Sequence, residues 1–246
     1  MEEECGHALK RVLAVTLCVL CLAAASSQAV ATPSFSDIDK QALFLSPLEQ
    51  WSPTYDLQGY VHPLEQAGYQ VDVLVNENVT IAFLKTDLAN YDLIILRTES
   101  FTIEGSSYFC SGEPVTSKTS TSFAQEIQSH EVAVSSCVGF SYLLIKNNYA
   151  ANSLRPGLVY ALGSATMQLG WWFVHNGASV FVGYWPNYSL GWGSMDALSI
   201  KFFDFMSQGY SVKEAAMEVY MYLVQGHGSS GDWPAASWVG NGDFGI

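Results

Sequence analysis

Cys137 has surroundings that resemble those of a nucleophile. The run Val132-Ala133-Val134-Ser135-Ser136-Cys137-Val138-Gly139 reads as a short strand that leads to a cysteine and then to a helix over 139–149. A helix N-terminus favours a thiolate, the reactive form of cysteine. Two other fates compete with reactivity: burial as a small apolar group, and a disulfide with Cys110. Beyond the first 31 residues four histidines are available as bases or metal ligands: His62, His130, His175 and His227. No two of them have ligand spacing on one helix or strand, so the sequence predicts no metal site, and no motif calls for a cofactor. His175 ends a predicted helix, where a histidine complements the dipole. His227 lies in Gly226-His227-Gly228, a turn with nothing to mark it as a base.

The aromatic residues form the other unusual constellation. Trp185, Tyr188 and Trp192 fall in one loop after a predicted strand. Such residues either anchor the loop or offer flat platforms for a sugar, a peptide or a protein partner. Trp171-Trp172 lies in a predicted helix and is expected to bury one indole against a sheet.

Strands and helices alternate in the elements that position these residues. Runs at 41–45 (QALFL), 69–75 (YQVDVLV), 91–96 (YDLIIL), 158–162 (LVYAL) and 179–184 (SVFVGY) predict strands, with a last one at 236–239. Helices are predicted from Leu57 to the stop at Gly68, as a turn over 80–84 behind an Asn78 cap, and over 139–149, 167–175, 195–208 and 212–225. Residues 98–129 are rich in Ser, Thr and Gly and read as a long excursion with one helix near 122–129. This alternation predicts an α/β fold of three layers: a mostly parallel sheet with helices on both faces. Ligands of such sheets bind beyond the carboxyl ends of the strands. Chemistry is therefore expected at 97–100, 163–166 and 184–192.

The first 31 residues have the form of an export signal. Lys10 and Arg11 precede an apolar run over 12–25, and Ala29-Val30-Ala31 is a small-x-small cleavage pattern, which would leave Thr32 as the first residue. The run is short for a membrane span, so membrane attachment is expected only if the signal stays uncleaved. Residues 32–246 suffice for one domain. The formal net charge is −13, which excludes nucleic acid as a partner for the global field. Asn78-Val79-Thr80 and Asn187-Tyr188-Ser189 are glycosylation sequons.

Several segments in order resemble the caspase-like fold of the clan of caspases, clostripain and gingipain-type cysteine peptidases. Tyr91–Thr98 is similar to the strand that delivers the clan's catalytic histidine, and Ser111-Gly112-Glu113-Pro114 to a loop soon after it. The segment 158–164 is similar to the strand that ends in the nucleophile's Gly-Cys. Residues 177–184 and 208–215 resemble the next strand and the helix start that follows. The likeness spans about 41–225, and it implies that Leu93–Leu96 and Val159–Leu162 are adjacent parallel strands. It also places Glu99 where the clan has histidine, and Ser164 where it has cysteine. A serine hydroxyl needs a competent base, and an ionised glutamate has no proton to give a leaving amine. The resemblance therefore implies an exported, degenerate peptidase homologue whose cleft binds a peptide, glycan or protein. A second resemblance, of the segment around Cys137 to the nucleophile elbow of class-I glutamine amidotransferase-like proteins, implies an active cysteine hydrolase. It departs at Ser135, where Gly or Ala is usual. The third reading is a structural envelope domain.

Overall fold

The computed structural model describes residues 40–54, 56–185, 191–227 and 236–246. The leader, Thr32, Tyr188, the Asn187 sequon and the side chain of His227 lie outside the described residues. In chain order the strands are β1 (Lys40–Ser46), β2 (Tyr69–Val75), β3 (Leu93–Arg97), β4 (Ser100–Ile103), β5 (Ser106–Cys110), β6 (Val132–Val134), β7 (Val138–Phe140), β8 (Leu158–Leu162), β9 (Val180–Gly183) and β10 (Ser237–Gly240). The helices are α1 (Leu57–Gln66), α2 (Ile81–Thr86), α3 (Thr119–Ser122), α4 (Ala124–Gln128), α5 (Tyr142–Asn148), α6 (Met167–His175), α7 (Trp192–Ser207) and α8 (Val212–His227).

The main sheet has the order β10-β9-β8-β3-β1-β2. Its pairs are parallel except β9 with β10. The apolar runs explain the layers. β1, β3, β8 and β9 are central, and successive side chains go to opposite faces. Ala42, Phe44, Leu93, Ile95, Leu158 and Tyr160 meet the core beneath α1, α7 and α8. Leu43, Leu45, Ile94, Leu96, Val159 and Ala161 meet the core beneath α2, α5 and α6. Strands buried on both faces read as unbroken hydrophobic runs, which is why they stood out in the sequence. The result is a mixed α/β structure with helices on either side of a mostly parallel sheet.

A second sheet, antiparallel with the order β4-β5-β7-β6, adds Phe109, Val132, Val138 and Phe140 to the second core. It corrects two expectations. The excursion at 98–129 contains the β4–β5 hairpin, closed by Glu104 (φ 50°) and Gly105 (φ 81°), the left-handed pair of a type I′ turn. Residues 138–140 are strand, because β7 pairs with both β5 and β6, and the helix behind them starts only at Tyr142. A smaller correction concerns α2, whose cap is Thr80, accepting from the Phe83 amide at 3.0 Å; Asn78 instead closes a 3₁₀ turn.

From β1 the chain moves to β2 on one side and then to β3 on the other. This reversal makes the crevice between the carboxyl ends of β1 and β3 the topological switch point of the sheet. The segments after Ser46, Arg97 and Leu162 share that edge.

Candidate functional site

Arg97 ends β3 at the switch point, and its side chain is 1% exposed. It pairs with Asp196 of α7 in a two-pronged contact, Nε to Oδ1 at 2.9 Å and Nη2 to Oδ2 at 3.1 Å. Asp196 is fully buried and also accepts from the Tyr60 hydroxyl at 3.0 Å. Nη1 donates to the Ser52 carbonyl at 2.6 Å and to the Ser46 hydroxyl at 3.3 Å. Glu49 lies 3.8 Å from the same nitrogen. Burial raises the Glu49 carboxyl, but hydrogen bonds from Ser46 and Thr54 and the Arg97 charge outweigh it and leave the group below its usual range. The crevice is thus occupied by a hydrogen-bonded polar cluster that ties the loop after β1 to α7. A buried cation of this kind survives only with its hydrogen bonds complete.

Beyond Arg97 the edge holds the two positions that the family resemblance aligns with a catalytic dyad. β3 pairs with β8 in parallel over Leu93–Arg97 and Leu158–Leu162. Past the strand ends, the Ser100 hydroxyl donates to the Ser164 carbonyl at 2.8 Å. Gly163 (φ 141°) makes this approach feasible, since a Cβ there would lie 1.9 Å from the Thr98 carbonyl oxygen. Ala165 follows with φ 62°, a left-handed residue between strand and helix. The Thr166 hydroxyl secures the turn by donating to the carbonyls of Ala161 and Gly163 and accepting from the Tyr184 amide. Glu99 and Ser164 therefore sit on neighbouring strand ends, but their side chains do not form a relay. The Glu99 carboxylate accepts from the Trp192 indole N–H. Trp192 in turn lies over the Arg97 guanidinium, 4.4 Å from its carbon.

Cys137 and Cys110 are joined in a disulfide, so Cys137 presents no thiol. Nor does it stand at a helix start, since β7 follows it directly. Both physical grounds for a reactive thiol at Cys137, a free sulfur and a helix N-terminus, are thus absent at this position. The histidines lie elsewhere. His62 bonds with Gln66 within α1, His130 is exposed before β6, and His175 stacks edge-on against Trp172 at the end of α6. Among the described residues no group of three or more His, Cys, Asp or Glu is arranged to hold a metal ion.

The aromatic loop residues divide. Trp192, placed in that loop from sequence, instead opens α7 and is an anchor held by Glu99 and Arg97, while Trp185 is 49% exposed. Trp172 stacks in parallel on Tyr142, and its neighbour Trp171 faces outward.

Sequence reasoning passed over a groove of about 570 Å³ beside the disulfide. Its walls come from the segments after β1, β2 and β5 and the segment before β7. Trp51, Glu77, Glu113, Val115, Ser136 and Cys137 are among the residues that line it. The walls are fixed by backbone contacts. The Gln50 amide donates to the Asn76 side chain at 2.8 Å, and the Gly112 amide to the Val79 carbonyl at 2.8 Å. A Cβ on Gly112 would fall 1.6 Å from the Asn76 oxygen, so this crossing requires glycine. Glu113 accepts from the Ile81 amide at 3.0 Å and so ties its loop to α2. The Ser111-Gly112-Glu113-Pro114 run, singled out from sequence for its likeness to a family loop, was the one available signal.

Comparison of the chain with protein-family models and with curated proteins gives no match.

Proposed function

We propose that the chain is an extracytoplasmic, caspase-like domain that binds a peptide or protein at the carboxyl edge of its sheet without cleaving it. The observation that carries this reading is the engagement of Glu99 by Trp192 beside a serine at 164. An acyl-transfer site needs a nucleophile, a base that can take and return a proton, and donors aimed at the oxyanion. Neither Glu99 nor the disulfide-bonded Cys137 meets the first two requirements. The adjacency of β3 and β8, with 99 and 164 at one edge, supports the caspase-like arrangement. The Cys110–Cys137 bond agrees with the export leader, because such bonds persist mainly outside the cytosol. Among the described residues no helix is long and apolar enough to cross a membrane.

The test restores the family's pair. The double variant Glu99→His with Ser164→Cys should gain hydrolysis of fluorogenic peptides that neither single variant shows. A correctly folded double variant with no gain would count against the caspase-like arrangement of this edge.

A further inference from the structure

We infer that the groove beside the disulfide receives a basic side chain of an extended peptide. The inference rests on the peptide-binding reading and assigns that binding to a site distinct from the dyad positions. Three features of the groove converge. Its volume of about 570 Å³ lies within the roughly 300–1,000 Å³ of ligand sites. Its charge has one sign: Glu77 and Glu113 contribute carboxylates, and no basic side chain among the described residues lines it. Trp51 stands at its rim, 68% exposed. A large aromatic left in water, in a groove that two glutamates also line, suits a guanidinium or ammonium group, which the ring face attracts and whose alkyl stem covers apolar surface.

The shape is set before any ligand arrives. Gln50 is bonded to Asn76, Gly112 to Val79, and Glu113 to Ile81. The disulfide ties another part of the lining to the small sheet, because Cys137 lines the groove while Cys110 ends β5. A preformed site spends little binding free energy on ordering. Glu113 has one carboxylate oxygen committed to Ile81, so Glu77, which is exposed, is the freer contact for an incoming cation. The net charge of −13 draws basic segments toward the protein and repels acidic ones.

The experiment measures binding of three labelled hexapeptides, identical except for arginine, glutamine or glutamate at one central position, by fluorescence anisotropy with the whole protein. The arginine peptide should bind at least about ten-fold more tightly than the glutamate peptide, with an affinity that falls as salt rises. Trp51→Ala and Glu77→Gln should each weaken the arginine peptide by roughly three- to five-fold. Both residues are exposed, and an unchanged melting temperature would show that the fold is intact. Equal binding of all three peptides, unaffected by either variant, would overturn the groove assignment and leave peptide binding standing. No binding of any of the three would overturn the groove assignment and count against peptide binding as well.

Discussion

Replacing Arg97 with methionine should destabilise the protein severely and by a specific route. The methionine fills much of the same space but takes the Arg97 guanidinium, with its two-pronged contact, away from the fully buried Asp196. It also removes the donor to the Ser52 carbonyl and the Ser46 hydroxyl. Breaking a buried pair by removing one partner costs about 3–5 kcal/mol. For a chain of this size that corresponds to a fall in melting temperature of roughly 6–20 °C. Urea unfolding of wild type and variant, with equal m-values, would give the difference directly. The second arm is Arg97→Met combined with Asp196→Leu, which removes both charges. It should recover most of the loss and come within about 1–2 kcal/mol of wild type, since a buried pair is often no better than apolar residues of similar volume. A single variant that loses less than about 1 kcal/mol would refute this reasoning. It would mean that water reaches the pair and that the switch point is open.

Three further outcomes follow from the same structure. Gly163→Ala should cost at least about 3 kcal/mol, because it adds a strained φ to a 1.9 Å approach on Thr98, whereas Gly193→Ala, in open space within α7, should stabilise by up to about 1 kcal/mol; thermal melts decide both. The Glu49 carboxyl is held low in the folded state, so its contribution is present above the unfolded value and is lost as pH falls through the folded one; Glu49→Gln should flatten the stability profile in that acid window, as denaturant melts across pH would show. A thiol reagent should not label Cys110 or Cys137 in the folded protein, and reduction should lower the unfolding free energy by about 3–4 kcal/mol for a bridge 27 residues apart; mass spectrometry and melts with and without reductant check these two points.

The main sheet was legible because its central strands are buried on both sides. Leu93–Leu96 and Leu158–Leu162 read as continuous apolar runs, and the helix after the second carries an ordinary stop at Asn176-Gly177. The small sheet was not legible. β6 and β7 have three residues each, too few to show a period, and the hairpin turn is Glu-Gly in place of the usual Asn-Gly. That gap accounts for the misreading at Cys137: a second short strand follows the cysteine where sequence predicted a helix. The edge on which Glu99 and Ser164 lie could be read from strand order. The fate of the Glu99 carboxylate could not, because Trp192 is 93 residues away and its role depends on α7 docking against the Arg97 cluster. The groove lacks a local signature for the same reason, since its walls come from four separate segments.

Central to this account is binding without cleavage, and it is tested most directly by incubating the purified protein with a defined mixture of peptides, recovering those retained, and weighing every peptide by mass spectrometry. The account predicts a retained subset enriched in basic residues, each recovered at full length, with no fragments beyond those in a protein-free control. Fragments that accumulate with time and disappear in Ser164→Ala would contradict it, for they would show that the serine at the strand end is a working nucleophile.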